Sequence, residues 1–128
     1  MAGSRKPSGA LTFVELKGFH ADWEELEPTD GDLQSLQRTV ASDPLAGAVI
    51  KGTGGLRKLR FAPARWKTGK SGALRLCYVY YPGYSAVLLV AAYAKNRQET
   101  LSAAGAKAFR EVIRRIDREF ARRFGGEQ

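Results

Sequence analysis

The chain has 128 residues, 44% of them hydrophobic and 27% charged, a composition that fits one globular domain and excludes an intrinsically disordered chain. Its 21 Lys and Arg against 13 Asp and Glu leave a formal net charge of +8, so an anionic partner is expected: nucleic acid, an acidic protein or a membrane surface. The single cysteine, Cys77, excludes an internal disulfide and suits a reducing compartment, and no apolar run approaches the length of a membrane span.

Residues 1–10, MAGSRKPSGA, are small, basic and polar, without the apolar middle of a signal peptide. They read as a flexible tail ahead of a single domain over residues 11–128. LTFVEL (Leu11 to Leu16) alternates weakly between two glycines and is predicted to be a first strand. Phe19, Trp23 and Leu26 recur at helical spacing, and Pro28 closes that short helix. Thr29 or Asp30 caps a second helix carrying Leu33, Leu36, Val40 and Ala41, which stops at Ser42–Asp43–Pro44. LAGAVIKGTGG is read as loop.

Three strands are predicted next: Leu56 to Ala62, Ala73 to Tyr81, and Val87 to Tyr93, the last two joined by the turn PGYS. The second and third are apolar at both parities, as strands buried on both faces are, except at Arg75. PARWKTGKSG between the first two is a basic loop. A final helix follows Ser102, a candidate cap, with the apolar stripe Phe109, Val112, Ile113, Ile116, Phe120 and Phe124. The order β-α-α-β-β-β-α predicts an α+β domain: a small antiparallel sheet with two N-terminal helices and one C-terminal helix packed on it.

Several chemistries fail on spacing. GKS at Gly69 to Ser71 has Ala64 where a phosphate-binding P-loop needs glycine, and it precedes a strand rather than opening a helix. GTGG at Gly52 to Gly55 also leads into a strand, so no helix N-terminus is available to a phosphate. His20 is the one histidine and lies away from every basic cluster, which reads as a surface or half-buried helix residue. One His and one Cys make neither a triad nor a zinc site, and Cys77 reads as a small buried hydrophobe.

From Ala46 to Arg97 there is no Asp or Glu, while Lys51, Arg57, Lys58, Arg60, Arg65, Lys67, Lys70, Arg75, Lys95 and Arg97 all fall there. A two-carboxylate or Mg²⁺ centre in the sheet is therefore not expected. In LRKLRF the period of two puts Lys58 and Arg60 on one face and turns Leu59 and Phe61 to the core. The span reads either as a solvated basic face or as a cationic cleft with aromatic edges that suits a phosphodiester and a stacked base. On the last helix Arg110, Arg114, Arg118 and Arg122 form one row, beside a mixed row of Glu111, Arg115, Glu119 and Arg123. These read as a solvated helix face, or as a surface for rRNA or an acidic protein.

The blocks GTGGLRKLR, GKSGALR, an aromatic strand, AYAKN and LSAA stand in order between Val49 and Ala104. In this the chain resembles the RelE/HigB-type toxins of bacterial type II toxin–antitoxin modules, particularly the HigB-like branch. The resemblance implies a cytoplasmic, ribosome-dependent mRNA endonuclease that needs no metal or cofactor. Its implied partners are the ribosome, mRNA and a cognate antitoxin expected to carry a DNA-binding domain, with no membrane. In such toxins the RNA's own 2′-OH attacks the adjacent phosphate, and the protein orients the phosphate, stabilises charge and moves protons.

Carried over by resemblance, the catalytic set is Lys58, Arg60, Arg75 and Lys95 with Tyr93 beside it; of the rest of the basic span, Arg57, Arg65, Lys67, Lys70 and Arg97 are expected to hold RNA. RelE itself has an arginine directly after the last lysine and a tyrosine further on; this chain has Asn96 and no later tyrosine. The resemblance therefore leaves the proton-transfer group open. ParE-like members of the superfamily, which poison gyrase, lack the basic set; this chain has it, so the nuclease is the preferred expectation, and a non-enzymatic basic toxin or binding module, such as a gyrase inhibitor or RNA-binding protein, is the rival.

Overall fold

The computed structural model describes residues 11–62, 74–93 and 103–125. They form β1 (Thr12–Glu15), α1 (Lys17–Glu25), α2 (Asp30–Ser42), β2 (Ala48–Val49), β3 (Arg57–Phe61), β4 (Leu74–Tyr81), β5 (Ala86–Tyr93) and α3 (Ala103–Phe120). A 3₁₀ turn, Pro82–Tyr84, joins β4 to β5, and a π turn, Ala121–Gly125, ends α3. The fold is α+β: a five-stranded sheet in the order β1-β5-β4-β3-β2, with three helices.

The strands β2 to β5 pair antiparallel, each with the next in sequence. β1 joins the far side of β5 in parallel, a pairing that the two intervening helices and three strands make possible and local sequence cannot reveal. Within the segment read as loop, Ala48 and Val49 pair with Lys58 and Arg57, so the sheet has a two-residue edge strand there.

Helices cover both faces. On one side Phe19 and Trp23 of α1 and Leu36 and Val40 of α2 pack on Phe61, Leu74, Leu76, Tyr78, Val87 and Leu89. On the other, Phe109, Ile113 and Ile116 of α3 pack on Leu56, Cys77, Val79, Leu88 and Val90. This is why β4 and β5 are apolar at both parities: each alternate residue meets a different helical layer, and each fully buried large side chain contributes about 1.5–3 kcal/mol. Leu59 and Phe61 face the α1–α2 layer, as the alternation in LRKLRF requires.

Two local devices hold the elements in place. Thr29 caps α2: its hydroxyl accepts from the Asp32 N–H at 3.2 Å, and the Asp32 carboxylate accepts from the Thr29 N–H at 2.9 Å. In GTGG, Gly54 has φ +81° and Gly55 +124°, and between the loop's outer glycines Thr53 is fully buried. Its hydroxyl donates to the Ile50 carbonyl at 2.6 Å and accepts from the Leu56 N–H at 3.0 Å. Arg110 of α3 lies over Gly54 and donates to the Gly52 carbonyl at 3.3 Å. The glycine loop is thus closed by its own threonine and by α3, and serves as the turn into β3.

Candidate functional site

Strand register brings four of the predicted catalytic residues together: Lys58, Arg60, Arg75 and Tyr93. Arg60 of β3 lies opposite Arg75 of β4, and Arg75 lies opposite Tyr93 of β5. Two residues along, Lys58, Cys77 and Ala91 form the next row on the same face. At about 4.8 Å between strands, the three-residue row is about 10 Å across, the scale of a nucleotide and its flanking phosphates. Lys58, Arg60, Arg75, Cys77 and Tyr93 share the sheet face on which α3 packs further along, at Val79 and Leu88.

Exposure grades across the row. Arg60 is exposed, Lys58 and Tyr93 are half-buried, and Arg75 is only 4% exposed. A guanidinium so deep in a sheet is stripped of most of its hydration, which strengthens any charge-assisted hydrogen bond it makes.

A β-bulge decides which side chain reaches Arg75. Tyr78 pairs with Leu89 but Cys77 pairs with Ala91, so Val90 is the extra residue in β5. Continued without that residue, the register would set Ala92 opposite Arg75; the bulge shifts it by one and brings Tyr93 there. Because side chains alternate, that single step also turns Tyr93 onto the Arg75 face and Ala92 into the opposite core.

Cys77 lies beneath this group, with its thiol hydrogen-bonded to the Tyr93 side chain. Burial pushes the thiol from 9.0 up to about 11, against the opposing influence of Lys58 and of that hydrogen bond. Cys77 therefore stays protonated at neutral pH and is no nucleophile. It is the small buried residue the sequence suggests, with a polar contact the sequence did not reveal.

The structure adds a residue that sequence reasoning missed. Asp22 of α1 accepts a hydrogen bond from the Ala92 N–H at 3.1 Å, and its charge is felt at Cys77. The acid-free span from Ala46 to Arg97 excludes carboxylates near in sequence, not one delivered from 70 residues away. The available signal was its position, an acid between the core residues Phe19 and Trp23.

Other predicted residues lie elsewhere. Arg57 points away from the row, donating to the carbonyls of Gly47 at 2.7 Å and Leu45 at 3.2 Å. With the Tyr78 hydroxyl, which accepts from Gly47 N–H and donates to the Pro44 carbonyl, it pins the loop before β2. Lys95, Arg65, Lys67, Lys70 and Arg97, like the GKS segment, lie outside the described residues. His20 is exposed, 3.5 Å from the Glu15 carboxylate, a surface residue as expected.

The arginine row and the mixed row along α3 and its terminal π turn are less separate than their spacing suggests. Glu119 accepts from both Arg122 and Arg123 at 2.6 Å, Glu111 lies 3.5 Å from Arg114, and Arg110 is held on the glycine loop. Those hydrogen bonds hold the Glu119 carboxyl below its ordinary range. Among the described residues no three His, Cys, Asp or Glu side chains gather as a metal site would require, and no helix is long and apolar enough to cross a membrane.

No family model matches the chain. Among solved structures it is similar to a doubly substituted mutant of the E. coli toxin RelE in the free state, with TM-score 0.48 and 14% identity over 81% of this chain and 95% of that one. It is similar also to the isolated E. coli RelE toxin, with TM-score 0.45 and 18% identity over 81% of this chain and 96% of that one.

Proposed function

We propose that this chain is the toxin of a type II toxin–antitoxin pair and that it cuts mRNA on the ribosome without a metal. The observation that carries the reading is the cross-strand row Arg60–Arg75–Tyr93 with Lys58 beside it. It sets three cations and a phenol on one sheet face, in the part of the sequence whose ordered motifs resemble the RelE/HigB-type toxins.

The chemistry follows from those groups. The 2′-oxygen bonds to the adjacent phosphorus as the bond from phosphorus to the 5′-oxygen breaks, leaving a 2′,3′-cyclic phosphate and a 5′-hydroxyl. The 2′-OH gives up its proton, and the departing 5′-oxygen takes one. Arg75, as a planar fork, holds two phosphate oxygens in line for attack, and Lys58 and Arg60 offset the charge that builds on them. Proton transfer falls to Tyr93, Lys58 or Lys95, the members of the set able to give or take one. Cationic side chains in place of carboxylates favour a mechanism that recruits no divalent ion.

Induced expression of the chain should arrest growth and leave cuts in translated messages, in register with the reading frame, when mapped by primer extension. Intact messages in arrested cells would overturn the nuclease reading. Intact messages together with blocked DNA supercoiling would assign the chain to the gyrase inhibitors instead.

A further inference from the structure

We infer that Asp22 is a positioning residue for this site: by holding the backbone of β5 just past its bulge, it fixes the register that sets Tyr93 opposite Arg75. The inference rests on the nuclease reading for its consequence in activity, and on strand geometry alone for the hold itself.

β1 pairs with β5 only from Ala86 to Leu89. The Leu16 N–H donates to the Leu89 carbonyl at 3.0 Å, and there the chain turns away into α1. Beyond Leu89, then, β1 offers β5 no strand partner on that side. α1 takes the place of one: Gly18 lies against the Val90 carbonyl, and one turn later Asp22 reaches the Ala92 N–H at 3.1 Å. Ala92 is 1% exposed, so without that carboxylate its N–H would be buried and unsatisfied.

The location matters because of the bulge. Between Leu89, tied to β1, and Ala92, tied to Asp22, lies Val90, the extra residue that carries Tyr93 onto the Arg75 face. A bulge can migrate or be lost when its flanks are loose, and a one-residue slip would exchange Tyr93 for Ala92 in the row. Position 18 sits in ordinary contact range of the Val90 carbonyl, and Asp22 supplies the acceptor one turn later.

The test uses the full chain as wild type, Asp22→Ala, Asp22→Asn and, as a control on the same helix, Glu24→Ala. Amide exchange at Ala92 and Tyr93 reports the strand, and cleavage of ribosome-bound mRNA reports the site. In Asp22→Ala, Ala92 should exchange about tenfold faster or more, and kcat should fall about tenfold with KM little changed, while Val87 and Leu88 keep wild-type protection. Asp22→Asn retains an oxygen acceptor and should restore both. A backbone ester at Ala92, which removes the N–H and leaves Asp22 in place, should reproduce the loss and serves if Asp22→Ala does not fold. Unchanged exchange at Ala92 in Asp22→Ala, or full cleavage by the ester variant, would overturn the inference. Cleavage by the wild type decides the nuclease reading independently of the exchange data.

Discussion

At Arg75, shape and charge are both at stake. On a central strand at 4% exposure, the guanidinium offers paired N–H donors in a fixed plane, which an ammonium cannot copy. Arg75→Lys should therefore cut mRNA about 10²–10³-fold more slowly while the thermal midpoint stays near wild type. Normal cleavage, or loss of activity only through unfolding, would make Arg75 structural and shift the chemistry to Lys58, Arg60 and Lys95. Cys77 gives a different test. Its folded pKa is raised above the unfolded value, so its contribution to stability is full below pH 9 and is lost as pH rises toward about 11. Cys77→Val removes the titration: the wild type should lose up to about 3 kcal/mol relative to that variant between pH 8 and 11, measured by denaturant melts. Parallel curves would mean the thiol is not desolvated as its burial indicates.

At the scale of elements, caps and turns were the most legible features, because their causes are local. A cap at Thr29 or Asp30, which the structure assigns to Thr29, the stop near Pro44 and the glycine turn into β3 can each be read from a few adjacent residues. Thr29→Ala should cost about 1 kcal/mol in chemical denaturation and leave activity intact. Gly54→Ala should cost at least about 1 kcal/mol, since φ +81° strains any side chain and Arg110 already lies 3.4 Å from the new methyl. A Gly54→Ala protein as stable as wild type would show that Arg110 and the loop relax together. The helical rows of α3 were less legible. Spacing proposed a pure arginine stripe, but one glutamate bridges across it at i+3 as well as i+4, and Arg110 leaves it to cover a loop 58 residues away.

At the scale of the whole molecule, a net charge of +8 on 128 residues governs how partners arrive. For the toxin proposed above, association with an acidic antitoxin segment should be fast and should weaken steeply with salt. Affinity that stays flat between low and high salt would place apolar contacts in control. For RNA, Arg60→Ala should lower the slope of log affinity against log salt by about one unit, as expected for one lost phosphate contact.

The basic residues and Tyr93 of the candidate site were visible in sequence; Asp22 and the arrangement were not. Alternation in LRKLRF was enough to pair Lys58 with Arg60 and send Leu59 and Phe61 inward, because a strand's period is a property of its own backbone. An arginine in an apolar strand was likewise conspicuous without coordinates. The parallel pairing of β1 with β5, the two-residue strand β2, the bulge at Val90 and the reach of Asp22 to Ala92 were decided only in three dimensions. Each joins segments distant in sequence or depends on a one-residue choice of register. No propensity or spacing rule encodes such a choice; it is set by which backbone groups find partners when both faces of the sheet are already buried.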